Sequence, residues 1–296
     1  EIGSACCYKH QIHTSAVEGL SMKPVVRKAV FPVAGFGTRF LPVTKAMPKE
    51  LLPVVNKPLI QYAAEEAIAA GCDMLIFVTG RNKRAIEDHF DSNWELENAL
   101  YLKGKVEEAE MVRNILPAGV ECIFVRQSKQ LGLGHAVLCA ERAVANEPFV
   151  VLLADDFLVY DGVGTTAELT RAYERSGKTQ LSVMQLDGPD ISKYGVVKTN
   201  ENLGSVVGLI EKPDFKDAPS NLASIGRYAL RPDIFDILRN QLAGSGGEIQ
   251  LSDAINSQAI AGNVESLALM GKRFDCGNVR GYLDAIIYMA DRKKIY

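Results

Sequence analysis

KAVFPVAGFGTRFLPVTKAMPKELLP, residues 28–53, is the stretch on which the fold turns. Its first seven residues, 28–34, form a β-rich apolar run that ends in a loop led by Gly35 and Gly37. Glycine lets backbone N–H groups approach an anion with no Cβ in the way. Arg39, Lys45 and Lys49 add three cations, and Pro42, Pro48 and Pro53 stiffen the backbone. A stiff, basic loop at the C-terminal end of a strand is where open α/β sheets hold phosphate groups. A tight turn carrying solvated lysines is the structural alternative. Two commoner phosphate loops do not fit. The dinucleotide pattern GxGxxG needs glycine where Phe40 stands, and the second strand ends Val78-Thr79-Gly80 with no acid for a ribose. The Walker pattern GxxxxGK[ST] occurs nowhere.

Outward from this loop, strand-like and helix-like stretches alternate. PLIQYAAEEAIAA (58–70) opens on proline and is followed by Gly71, which predicts a helix. MLIFVT (74–79) predicts a second strand, RAIEDHF the next helix, and 93–115 a charged helical excursion. ECIFVRQ (121–127) is a third strand, HAVLCAERAVA (135–145) a helix, and FVVLLADD (149–156) a fourth strand ending in two acids. That alternation implies right-handed crossovers and a mostly parallel sheet covered on both faces. After Asp187 the rhythm changes. YGVVKT (194–199) and SVVGLIEKP (205–213) read as a hairpin-like pair around polar NENLG. NLASIGRYALR (221–231) adds a strand, and helices follow near 232–241, 250–261 and 278–293. The expected fold class is α/β, a Rossmann-like, mostly parallel mixed sheet flanked by helices, in a single domain over residues 22–296.

Composition narrows the classes. The formal net charge of −3 argues against a protein that coats nucleic acid, so any basic site is local. No apolar run reaches the ~18–20 residues that cross a bilayer. Six cysteines, at 6, 7, 72, 122, 139 and 276, form no CxxC and suit a reducing compartment, with the cytoplasm as the expected address. Cys6, Cys7, His10 and His13 match no usual zinc spacing. Residues 1–21 read as a remnant or extension outside the fold.

GFGTRFLPVTKAMPKELLP followed by NKPLIQY resembles the signature of sugar-1-phosphate nucleotidyltransferases, closest to bacterial UTP–glucose-1-phosphate uridylyltransferases. The resemblance runs on through VRQ, LGLGHAVLCA, LADD, YGVV, EKP, NLASIGRYAL, GEIQLSDAI and FDCGN, covering about residues 25–293. It implies Mg²⁺-dependent transfer of a uridylyl group from UTP to glucose 1-phosphate, by direct attack at the α-phosphorus. Such a reaction asks for positioning and charge stabilisation and for no side-chain nucleophile. Consistent with that, the sequence has no Gly-x-Ser-x-Gly elbow.

By the same resemblance Asp155 and Asp275 are the metal ligands, and Arg39 and Lys49 take the β and γ phosphates. Ala34, Gly35, Gly37 and Thr38 line the nucleotide. Gln127 and Gly132 face the base; the Gln127 amide both donates and accepts, as the imide edge of uracil requires. Lys212 takes the sugar phosphate, Glu211 accepts from sugar hydroxyls, and Gly195 and Gly226 permit close approach of the sugar. Plainer roles stand beside these. Asp155–Asp156 can cap the next turn, Asp275 the helix near Asn278, Glu211–Lys212 can be an exposed ion pair, and Lys45 a solvated loop lysine. His135 reads as structural, and His89 and Cys276 as packing residues. The same chemistry with dTTP or another sugar, and a non-catalytic nucleotide-sugar binding subunit, are the alternative functions. The apolar face of GYLDAIIYMADRKK (281–294) and the family lean to a homo-oligomer, dimer or tetramer.

Overall fold

The computed structural model describes residues 25–200 and 204–295. Residues 1–21, with the Cys6–Cys7–His10–His13 grouping, lie outside the described residues, as do residues 201–203 of the polar turn.

Four strands build the first half: β1 (Lys28–Pro32), β2 (Met74–Thr79), β3 (Glu121–Arg126) and β4 (Phe149–Leu152). They are parallel, in the spatial order β3-β2-β1-β4. The chain therefore steps outward from β1 to β3 and returns on the other side of β1. This reversal opens a crevice beyond the C-terminal ends of β1 and β4, where doubly wound sheets bind ligands. Successive side chains on these strands enter opposite cores. Val30, Ile76 and Val151 pack under helices Leu133–Cys139, Ile234–Asn240 and Leu251–Ile260. Ala29, Phe31, Leu75, Phe77, Val150 and Leu152 pack under Leu59–Ala69, Arg84–Phe90 and Thr165–Ser176. Phe31 and Phe77 stack at 4.8 Å between ring centres.

The second half adds β5 (Asp156–Val159), β6 (Thr179–Gln185), β7 (Gly195–Thr199), β8 (Val206–Glu211), β9 (Leu222–Leu230), β10 (Val264–Ala268) and β11 (Lys272–Asp275). The long strand β9 runs antiparallel to β4, β6 and β7. It fuses both halves into one nine-stranded mixed sheet, with β8 on β7 and β10 on β6. The expected pair of strands around NENLG is thus β7 and β8. Strands β5 and β11 form a separate antiparallel pair. With Phe40, Leu52, Val54 and the C-terminal helix Val279–Arg292 this pair encloses a third core around Phe157 and Phe274.

FVVLLADD departs from expectation. Strand β4 stops at Leu152, Asp155 lies in a turn, and Asp156 opens β5. The cause is Arg227, whose side chain is 1% exposed. Its guanidinium donates to the carbonyls of Leu153 and Asp156, both at 2.9 Å, and so satisfies them in place of a continued ladder. Glu66 closes the arrangement with a buried ion pair at 2.9 Å. Removing the arginine would strand that carboxylate in the core. Arg227→Ala is expected to cost about 3–5 kcal/mol of unfolding free energy in urea titrations. A loss within about 1 kcal/mol, the worth of an exposed pair, would rule out this role.

Candidate functional site

Asp155 comes to the site from the β4–β5 turn and Asp275 from the end of β11. Pairing of β5 with β11 sets Asp275 opposite Asp156, and the Cys276 N–H donates to the Asp155 carbonyl at 2.8 Å. Gly277 follows. A Cβ placed there would stand 2.9 Å from Asp275 Oδ1, 3.1 Å from Asp155 Oδ2 and 3.6 Å from Arg39 Nη1. Two carboxylates and a guanidinium thus face one small gap that only glycine leaves open. Arg39 Nη1 also donates to the Gly277 carbonyl at 3.4 Å. Asp275 does not cap the last helix. Asn278 does, accepting from the Gly281 N–H at 2.9 Å, while Asp275 Oδ1 accepts from the Gly277 N–H at 3.0 Å.

Lys49 donates to Asp155 Oδ2 at 2.5 Å. Burial alone would raise the Asp155 carboxyl, but the Lys49 ammonium outweighs it and holds the acid below its ordinary range. Burial likewise acts to lower Lys49, and the carboxylates of Asp155 and Glu50 reverse it, so the ammonium titrates above its ordinary value. Both groups are charged at neutral pH. Two convergent carboxylates fit a hard divalent cation, with water or phosphate oxygens completing its shell. Among the described residues no cluster of three or more His, Cys, Asp or Glu stands ready to enclose one.

One cavity reaches this gap, and a second adjoins the first. On the antiparallel side Tyr194, Gly195, Glu211, Lys212 and Gly226 line one together with Arg39, Asp155 and Asp275. Glu211 and Lys212 pair at 3.1 Å, with the lysine side chain 59% exposed and the glutamate half-buried. On the parallel side Ala34, Gly35, Gln127, Gln130 and Gly132 line the other, and Leu133 borders both. Gln127 Nε2 lies 3.2 Å from the Gly132 carbonyl and 3.0 Å from His135 Nδ1, which gives His135 its structural partner. Gly37 has φ +68° and lets its loop pass over the Lys49 stem. Thr38 and Lys45 line a third cavity with Arg81 and Lys83, which shares Ala34, Gly35 and Gln130 with the second.

Two of these glycines also make room for the protein itself. A Cβ at Gly226 would lie 2.5 Å from Asp156 Oδ2, and its N–H donates to that oxygen at 2.8 Å. A Cβ at Gly132 would lie 2.8 Å from both Glu248 Cβ and the Ile249 carbonyl. Both glycines line their cavities, and the missing Cβ also lets protein atoms pack closely behind them. Three features escape the sequence. Glu50, beside Lys49, is buried with Lys83 at 2.7 Å; burial pushes the acid up and the amine down. Arg273 holds Asp156, and Tyr194 holds Arg273. The alternation of Arg273 with Asp275 on one strand was the available signal.

Gly277→Ala is expected to fill the gap between the carboxylates and weaken Mn²⁺ binding about tenfold or more, read by electron paramagnetic resonance. Unchanged affinity would separate Gly277 from the cation.

A profile described as nucleotidyl transferase matches residues 28–292. A UTP–glucose-1-phosphate uridylyltransferase of Pseudomonas aeruginosa is 47% identical over 267 residues, 88% of this chain and 95% of that protein. A crystal structure of apo UDP-glucose pyrophosphorylase aligns with TM-score 0.85 and 43% identity, over 90% of this chain and 99% of that one. A UTP-bound UGPase from Acinetobacter baumannii aligns with TM-score 0.82 and 39% identity, over 90% and 93%. The chain belongs to the nucleotidyl transferase family, and within it to the UTP–glucose-1-phosphate uridylyltransferases.

Proposed function

We propose that this enzyme joins UTP to α-glucose 1-phosphate, giving UDP-glucose and pyrophosphate. The observation that carries the reading is the gap at Gly277, faced by Asp155, Asp275 and Arg39, which line a cavity for the sugar phosphate that meets a cavity for the base at Leu133. A phosphate oxygen of the sugar phosphate attacks the α-phosphorus of UTP. The new P–O bond forms as the bond to the pyrophosphate oxygen breaks, and both electrons of that bond leave with pyrophosphate. No proton must be removed, because the attacking phosphate is already an anion at neutral pH.

Each residue then has a positioning or electrostatic task. Ala34, Gly35, Gly37 and Thr38 follow the nucleotide, and Gln127 and Gly132 hold uracil. Lys212 draws in the sugar phosphate, Glu211 accepts from sugar hydroxyls, and Gly195 and Gly226 form the wall behind them. Arg39 and Lys49 offset the charge that builds on the departing pyrophosphate. Asp155 and Asp275 would hold Mg²⁺, which when bound neutralises phosphate oxygens and lowers the charge opposing attack. The four free cysteines among the described residues, Cys72, Cys122, Cys139 and Cys276, support a cytoplasmic enzyme. No helix among those residues is long and apolar enough to cross a membrane. Val279, Leu283 and Ile287 are exposed at four-residue spacing on the C-terminal helix and support a homo-oligomer.

Pyrophosphate release from UTP and glucose 1-phosphate is expected to need Mg²⁺, to stop with EDTA and to resume with excess Mg²⁺. Asp155→Asn should lower kcat by about a hundredfold or more while the fold survives. Silence with every common nucleotide and sugar phosphate would defeat the assignment. Light scattering is expected to give a mass of two or four chains, and a single-chain mass would remove the oligomer.

A further inference from the structure

Arg273 and Asp275 share one face of β11, two residues apart, and line the same cavity. Phe274 points the other way, toward Phe157 and Tyr288. The Arg273 side chain is 7% exposed. Its Nε donates to Asp156 Oδ1 at 2.6 Å, its Nη2 pairs with the same oxygen, and its Nη1 donates to the Tyr194 hydroxyl at 2.9 Å. The guanidinium carbon lies 5.0 Å from the centre of the Tyr194 ring. Asp156 in turn accepts from the Gly226 N–H through Oδ2. One buried guanidinium thus touches both the strand pair that carries the metal carboxylates and the entry to β7.

The connection continues through the backbone. The Tyr194 carbonyl accepts from the Lys212 N–H at 3.0 Å. Lys212 has φ +45°, a left-handed conformation that a lysine holds only when its surroundings impose it. Its side chain is mostly solvated and, among the described residues, paired with neighbouring Glu211 alone, so side-chain packing does not fix its place. The backbone bond to Tyr194 does.

We propose that Arg273 is a positioning residue: through Tyr194 it ties the Lys212 wall to Asp155 and Asp275, so that the sugar phosphate and the reacting phosphorus stay in register. This rests on the function proposed above, and it leaves the base cavity around Gln127 outside the linkage, since Leu133 is the residue common to both cavities.

The test is a split between substrates. Tyr194→Phe removes the hydroxyl and keeps the ring. It is expected to raise KM for glucose 1-phosphate about tenfold, a usual effect of losing a supporting hydrogen bond, with KM for UTP held within about twofold. Arg273→Lys keeps the charge but cannot span Asp156 and Tyr194 together, and it should add a fall in kcat. UTP binding to both variants without acceptor, by calorimetry, is expected to match the wild type. A wild-type KM for glucose 1-phosphate in Tyr194→Phe overturns the proposal, and so does an equal rise in both KM values or a loss of UTP binding. A wild-type enzyme that releases no pyrophosphate at all would defeat the functional reading itself, which is a distinct result.

Discussion

Two carboxylates aimed at one point repel each other, and the site is organised around tolerating that. Asp155 and Asp275 face the gap at Gly277 from two segments that meet only because β5 pairs with β11. Lys49 and Arg39 bring compensating charge from the glycine-led loop. That loop is stiff because its prolines and three short 3₁₀ turns leave it little freedom. The third core beneath it, with Phe40 and Leu52 packed near Phe157 and Phe274, joins loop and strand pair into one unit. Opposed charges are thus held by an apolar scaffold that neither can distort.

A fully buried ion pair stands behind the half-buried Lys49–Asp155 pair. Glu66 and Arg227 lie below 10% exposure, and Arg227 spends its remaining donors on the carbonyls that frame the Asp155 turn. An arginine suits this task because its planar fork reaches several oxygens at once. Hydrophobic replacement would serve packing as well. It would not shape the turn that aims Asp155.

Much of this was legible in the residues. The glycine-led loop, the parallel strands and the helix between Pro58 and Gly71 carry strong local signals, and the helix runs Leu59–Ala69 as its punctuation says. The strand β6, TQLSVMQ, did not stand out. Thr179, Gln180 and Ser182 look like surface residues but are fully buried. The Thr179 hydroxyl donates to Gln258, the Gln180 amide N–H to Glu265, and the Ser182 hydroxyl to the carbonyls of Ile225 and Arg227. Such partners are tertiary and leave no periodic trace. The strand β10, which pairs with β6, and the helix Thr165–Ser176 went unread with it. Arg273 was hidden for a similar reason, since its worth depends on Asp156 and Tyr194 arriving from elsewhere in the chain. Gly132 and Gly226 carry a second duty with no local signal, since each leaves room for protein atoms from distant segments as well as lining a cavity.

The strand β9 has a consequence beyond joining two halves. In the proposed function the base cavity borders parallel strands and the sugar cavity antiparallel ones, and β9 pairs with β4 where the two halves meet. Change on either flank need not disturb the other. A lineage could therefore exchange its donor nucleotide or its acceptor separately, keeping one reaction centre while its repertoire diversifies.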